Sequence, residues 1–133
     1  VDISSFKLFL LDCGLLGAMS ETPADKLLVA ENGMEESKGA FTENFVMSQL
    51  VATRDTSVFY YSNDAKLEID FLIQHDCDIV PIEAKAEENL RSKSLATFVE
   101  KHSDLHGIRF SMSDYREQSW MTNVPLYAAS IYF

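Results

Sequence analysis

The stretch "EIDFLIQHDCDIVPIEAK", residues 68–85, holds two runs of alternating apolar and polar residues on either side of a polar turn. Strand side chains alternate faces with a period of two. Leu67, Ile69, Phe71 and Ile73 therefore share one face of the first run, and Val80, Ile82, Ala84 and Ala86 share one face of the second. His75-Asp76-Cys77-Asp78 is polar enough to be the loop of a hairpin. A symmetric loop sets Gln74 opposite Ile79, then Ile73 opposite Val80, Phe71 opposite Ile82, Ile69 opposite Ala84 and Leu67 opposite Ala86. Every apolar residue on that face meets an apolar partner, and a slip of one residue would lose the match. On the other face the same register pairs Leu72 with Pro81, Asp70 with Glu83 and Glu68 with Lys85.

Like charges directly opposite across a strand pair are destabilising, so something must offset Asp70 against Glu83. A divalent cation does so, because carboxylate oxygens are the ligands that Mg2+ and Mn2+ prefer. Lys85, two residues past Glu83 on the same face, adds an ammonium beside that position. The alternative is a cross-strand Glu68–Lys85 ion pair with Asp70 and Glu83 splayed into water, as on many exposed hairpin faces.

Asp70, then twelve residues, then Glu83-Ala84-Lys85 resembles the core of the PD-(D/E)XK nuclease superfamily, although Ile69 rather than proline precedes Asp70. The wider pattern of "FKLFLLDCGLLGAMS", "KGAFTENFVMSQL", "LEIDFLI", "IVPIEAKAEENLRSKSL" and "NVPLYAASIYF" is similar to the C-terminal domain, of unknown function, of a group of prokaryotic AAA-type ATPases. The resemblance implies a restriction-endonuclease-like α/β sandwich with a central mixed sheet flanked by helices. It also implies a Mg2+ or Mn2+ site made by Asp70 and Glu83, with Lys85 as the catalytic lysine. Glu43, in the Thr42-Glu43-Asn44-Phe45 element, becomes the third acid by the same resemblance. The residues alone leave Glu43 open. Val46, Met47 and Leu50 follow it at helical spacing along an apolar column, but acids also suit helix N-termini through the macrodipole. Glu68 is an auxiliary that tunes Lys85 or joins a second metal.

A chain of 133 residues, 47% apolar, is expected to form one domain over residues 1–133 and to bury about two-thirds of its unfolded surface. The longest apolar stretch, Leu8 to Met19, is interrupted by Asp12 and too short for a membrane span. No basic segment precedes a signal-type core, and Cys13 and Cys77 lack C-x-x-C spacing, which fits free thiols in a reducing cytoplasm. The chain begins at Val1 and runs at once into apolar residues, as a piece of a longer ATPase would. It has no G-x-x-x-x-G-K-[ST], so any ATP site belongs to sequence outside it.

Acids outnumber bases 21 to 11, for a net charge of −10. Affinity for a phosphate backbone comes mainly from Lys and Arg releasing counterions, so DNA binding by this chain is expected to be weak. Arg91 and Lys93 do gather near the motif, and Ser92-Lys93-Ser94 suits either a helix cap or a phosphate at a helix N-terminus, which makes Lys93 a second auxiliary.

Periodicity and turn residues predict an α-β-β-β-α-β order. Phe6–Leu11 reads as a short buried strand or helix start and Gly14–Ala18 as helical. Residues 20–36 read as a loop with one helical turn around Asp25–Val29, followed by a helix over Ser37–Ala52. Val58–Ser62 is a strand before the hairpin, and Ser92 caps a helix to His102 with Leu95, Phe98 and Val99 on one side. Ile108, Phe110 and Met112 alternate in a further strand, and "VPLYAASIYF" is a strand or packed helix. His102 and His106 have metal-like spacing, but Gly107 sets His106 past the helix end and no acid or Cys cluster accompanies them. Asp76-Cys77-Asp78 fits turn chemistry better than a calcium loop, and Tyr60, Tyr61 and Trp120 fit core or edge aromatics better than base-stacking platforms.

Two functions follow. One is metal-dependent phosphodiester hydrolysis of DNA. The other is an idle nuclease-fold module of an ATPase, making contacts with the ATPase domain, a partner or further copies of itself.

Overall fold

The computed structural model describes residues 6–22, 35–53, 57–63, 67–86 and 92–132. The turn expected at Asp25–Val29 and the basic Arg91 lie outside the described residues. The elements in chain order are α1 (Cys13–Met19), α2 (Glu35–Thr53), β1 (Phe59–Ser62), β2 (Glu68–His75), β3 (Asp78–Lys85), α3 (Lys93–Lys101), β4 (Gly107–Ser111), β5 (Arg116–Glu117), β6 (Met121–Pro125) and a single 3-10 turn, Leu126–Ala128. The expected order is present as α2-β1-β2-β3-α3-β4, and β5 and β6 extend it.

The six strands form one mixed sheet in the order β1-β2-β3-β4-β6-β5. β3, β4 and β6 run parallel to their neighbours at the centre, and β1–β2, β2–β3 and β5–β6 are antiparallel. α3 is the crossover that parallel β3 and β4 require. It lies so close to β4 that a Cβ on Gly107 would come within 3.1 Å of the Leu95 side chain.

The hairpin has the expected register near its turn, with Phe71 paired to Ile82, Leu72 to Pro81, Ile73 to Val80 and Gln74 to Ile79. His75 pairs with Asp78, so the turn is the two residues Asp76-Cys77, with Asp76 at φ 54°. Asp tolerates that left-handed conformation better than most residues.

Farther from the turn the register reading fails, for an identifiable reason. β1 pairs Phe59 with Leu72 but Tyr61 with Ile69, so β2 carries one more residue than β1 between those pairs. Such a bulge bends the strand and breaks its alternation. Phe71 and Ile73 pack with Ile82, Ala84, Ile108, Phe110 and Val124 under Val46 and Leu50 of α2. Leu67 and Ile69 instead pack with Leu95, Phe98 and Val99 of α3 and with Met121. The four residues expected on one face are divided between two cores, and the expected Ile69–Ala84 contact is not made.

β4 and β6 are buried along their whole lengths, as central parallel strands are. Arg109 and Ser111 alternate with Ile108 and Phe110 in β4. They are buried in a polar network. Asn123 Oδ1 accepts from Arg109 Nε (2.8 Å) and Ser111 Oγ (2.7 Å), and Asn123 Nδ2 donates to the carbonyls of Ser113 and Asp114. Arg109 Nη1 donates to Ser92 Oγ at 2.9 Å, so the Ser92 side chain does not cap α3 as expected. The C-terminal strand starts at Met121, earlier than the apolar run suggested, and ends at Pro125, which cannot extend the ladder.

Phe6–Leu11 is neither a buried strand nor a helix. It is an irregular segment with Phe6, Leu8 and Leu11 exposed and Lys7 and Phe9 half-buried. The Phe9 ring packs on Phe71 with centroids 5.6 Å apart, and Leu10 N–H donates to Asn44 Oδ1 at 2.7 Å. Gly14–Ala18 lies in α1 as expected, with Asp12 capping it through Leu15 N–H. No helix among the described residues is long and apolar enough to cross a membrane.

Phe71 joins β2 to the α2 core and to the Phe9 segment. Truncating it to Ala is expected to cost about 3–5 kcal/mol. Ile131→Ala, at an 80% exposed position, should stay within about 0.5 kcal/mol of wild type. Chemical denaturation of the two variants checks both values.

Candidate functional site

The bulge in β2 creates the site. Beyond the Phe71–Ile82 pair, the Ala84 N–H donates to Asp70 Oδ2 at 2.9 Å rather than to a strand carbonyl. A side-chain carboxylate has taken a ladder position. Asp70 is thereby fixed in the gap between β2 and β3, next to Glu83-Ala84-Lys85, with a side chain only 17% exposed.

Two other elements complete the arrangement. α2 brings Glu43, and the segment before α1 brings Lys7. Lys7 Nζ lies 2.9 Å from Glu68 Oε1, 3.2 Å from Glu43 Oε2 and 3.6 Å from Asp70 Oδ1, with the Tyr60 ring 5.8 Å away. Three of the four acids singled out in the sequence therefore meet at one ammonium. Glu68 pairs with Lys7 and not with Lys85, so the expected cross-strand pair is not formed.

Glu83 is placed differently. It lies beside Arg109 of the neighbouring parallel strand, and its side chain is 8% exposed. Its Oε1 is 3.4 Å from Lys85 Nζ, while Oε2 is buried with no hydrogen-bond partner among the described residues. Neither Asp70 nor Glu83 splays into water. Lys85 joins the two halves, since it pairs with Glu83 and its charge also favours ionisation of Asp70.

Electrostatics follow burial. Desolvation pushes the Asp70 carboxyl above its ordinary range, against the opposing pull of the Ala84 N–H, Lys7 and Lys85. Glu43 is raised by desolvation and then by the Asp70 charge, with Lys7 opposing. Burial works to lower Lys7, but its hydrogen bond to Glu68 and the charges of Glu43 and Asp70 outweigh that and raise it. Desolvation lowers Arg109, with the Glu83 charge opposing.

The donor chemistry fits a hard divalent cation: carboxylate oxygens, one of them buried and orphaned. The present conformation does not offer it a place. Among the described residues, no three His, Cys, Asp or Glu side chains are arranged to hold a metal ion, and the Lys7 ammonium stands among the acids. The remaining sequence candidates lie apart from this cluster. Lys93 is exposed at the start of α3. His106 Nε2 is hydrogen-bonded to Thr122 Oγ1 at 2.9 Å, and the His102 ring packs on Phe98. Tyr61 meets Phe98 edge-on, and Trp120 packs against the α3 core.

Lys7 and Arg109 were missed in the sequence. Each carried a signal: a lone charge inside an apolar run, which needs a buried partner if its position faces inward.

The site is thus an acid cluster with two lysines, held at the split between two strands of a mixed α/β sheet. Residues 38–128 match the family described as "Domain of unknown function (DUF4143)", and the chain belongs to that family. The matched residues include Glu43, Glu68, Asp70, Glu83 and Lys85; Lys7 precedes them. No curated protein and no solved structure matches the chain.

A raised carboxyl pKa in the folded state means that folding favours the protonated form. The cost of ionised Asp70 is then complete above the folded pKa and absent below the unfolded one, about 3.9. Asp70→Asn, which keeps an acceptor for Ala84 N–H, should melt higher than wild type in chelator at pH 7. That advantage should fade as pH falls below about 4. Thermal melts across pH check the sign.

Proposed function

We propose that this domain is a metal-dependent phosphodiesterase of nuclease-like fold, serving as an accessory domain of a prokaryotic AAA-type ATPase in the cytoplasm. The observation that supports the reading is the Ala84 N–H bond to Asp70, which holds Asp70 against the main chain between Glu83 and Lys85. Asp70, Glu83 and Glu43 would hold Mg2+ or Mn2+. The ion would supply polarisation of a phosphate oxygen and a bound water of lowered pKa.

The chain's own residues do the rest. Asp70, buried and held by a backbone N–H, keeps one oxygen oriented without needing to reorganise. Lys85, 40% exposed, can reach a phosphate in solvent while its pairing with Glu83 fixes its position. It would stabilise charge developing on the phosphoryl oxygens. A net charge of −10 supports weak DNA affinity with a shallow salt slope, so substrate delivery falls to the ATPase or another partner.

One observation favours a second reading. Lys7 and Lys85 already compensate much of the acid charge within the fold. The domain would then be an idle nuclease fold kept for contacts with the ATPase or with further copies of the chain.

Cleavage of single-stranded, duplex and branched DNA with saturating Mn2+ separates the two. The enzyme reading expects a chelator-sensitive activity that Lys85→Ala lowers by about 100-fold or more, with Mn2+ binding retained. Intact DNA in all three assays would leave the contact module as the better account.

A further inference from the structure

One row of residues runs across four strands on the α3 side of the sheet. Glu83 of β3 pairs with Arg109 of β4, Arg109 with Asn123 of β6, and Asn123 with Arg116 of β5. Residues paired in this way put their side chains on the same face. The face is fixed by the bond from Arg109 to Ser92, just ahead of α3, while Ile108, Phe110 and Val124 go to the α2 core. The row therefore holds one carboxylate at one end and two guanidinium groups, with a neutral amide between the guanidiniums. Two strand spacings separate the two arginine backbones, about 10 Å.

Arg109, Arg116 and Asn123 line one cavity of 250 Å³, together with Ser113, Asp114 and Tyr115 of the turn between β4 and β5. Asn123 ties that turn to the floor. Its Nδ2 donates to the carbonyls of Ser113 and Asp114, and Ser113 N–H donates to Ser111 Oγ at 3.2 Å. The Arg109 guanidinium is held as well, through Nε on Asn123 and Nη1 on Ser92. A buried arginine is thus fixed at the floor of a walled cavity, and an exposed one stands at its edge. Desolvation lowers the Arg109 pKa, and the Arg116 charge adds to that against the pull of Glu83. Among the described lining residues the acid is Asp114, which is exposed.

We propose that this cavity is a phosphate subsite that takes the phosphomonoester group of a nucleotide between Arg109 and Arg116. A guanidinium presents a rigid fork of donors that matches phosphate oxygens, and a dianion can engage two such forks at once. The volume lies below the range of about 300–1,000 Å³ typical of sites for whole drug-sized ligands, so it suits one group of a larger molecule. Tyr115, 57% exposed at the same cavity, gives the attached base a ring to stack on. A net charge of −10 disfavours long tracts of phosphodiester, whereas a single phosphate needs only this local pair of cations. The subsite requires no metal at Asp70, so it stands apart from the catalytic reading above.

Amide NMR titrations of the intact chain, with chelator present throughout, test this. The probes are inorganic phosphate, deoxyadenosine monophosphate, and hexathymidylate with and without a terminal phosphate. The phosphorylated hexamer should bind at least about tenfold more tightly than the unphosphorylated one, with shifts centred on Arg109, Ser113, Tyr115 and Asn123. Inorganic phosphate should displace it. Arg116→Gln, at an exposed position that leaves the buried network intact, should weaken binding by at least about tenfold, and Asp114→Asn should strengthen it. Lys101→Gln, an exposed change in the last turn of α3, should leave it unchanged. Deoxyadenosine monophosphate binding as tightly as the phosphorylated hexamer assigns a free nucleotide as the source of the phosphate; tighter binding of the hexamer assigns a nucleic-acid end. Equal affinity for the two hexamers, equal losses in Arg116→Gln and Lys101→Gln, or no binding of any probe overturns the subsite.

Discussion

The hydrogen bond from Ala84 N–H to Asp70 Oδ2, 2.9 Å long, organises everything around the site. A strand ladder ordinarily satisfies such an N–H with a backbone carbonyl. Here the extra residue in β2 breaks the ladder, and a carboxylate fills the vacancy. One local event has three effects. It satisfies a buried donor, it turns Leu67 and Ile69 from the α2 core to the α3 core, and it leaves an acid fixed in the opening between strands. Without the bulge the hairpin would be an ordinary pair of strands with opposed charges on one face.

Acids placed in such an opening need counter-charges, and the fold supplies them from far away in sequence. Lys7 reaches Glu43, Glu68 and Asp70 from the segment ahead of α1. Lys85 and Arg109 flank Glu83 from its own strand and the next one. Desolvation still wins at Asp70 and Glu43, whose carboxyls are both raised. A site that holds ionised acids at a net cost would be relieved by a stronger cation. That imbalance is the energetic support for the proposed metal site.

The sequence made the hairpin turn, its first pairs and the helices α2 and α3 legible, because period-2 and period-3.6 patterns follow directly from backbone geometry. It also identified Glu43, Glu68, Asp70, Glu83 and Lys85; the structure brings Glu43, Glu68 and Asp70 together at Lys7 and pairs Glu83 with Lys85. The bulge was not legible. One extra residue leaves alternation in the letters intact while reversing it in space, so Asp70 and Glu83 were read as facing each other. Lys7 was not legible either, since its partners lie 36, 61 and 63 residues along the chain. Arg109 was not singled out, because its alternation with Ile108 and Phe110 does not tell a half-exposed strand from one covered on both faces, as β4 is.

The most direct measurement is a crystal structure of the chain grown with Mn2+, with the ion located by its anomalous scattering. The account predicts one Mn2+ peak coordinated by an Asp70 oxygen, with the Ala84 N–H bond to Asp70 retained. A map with no Mn2+ beside Asp70 at saturating metal would contradict it.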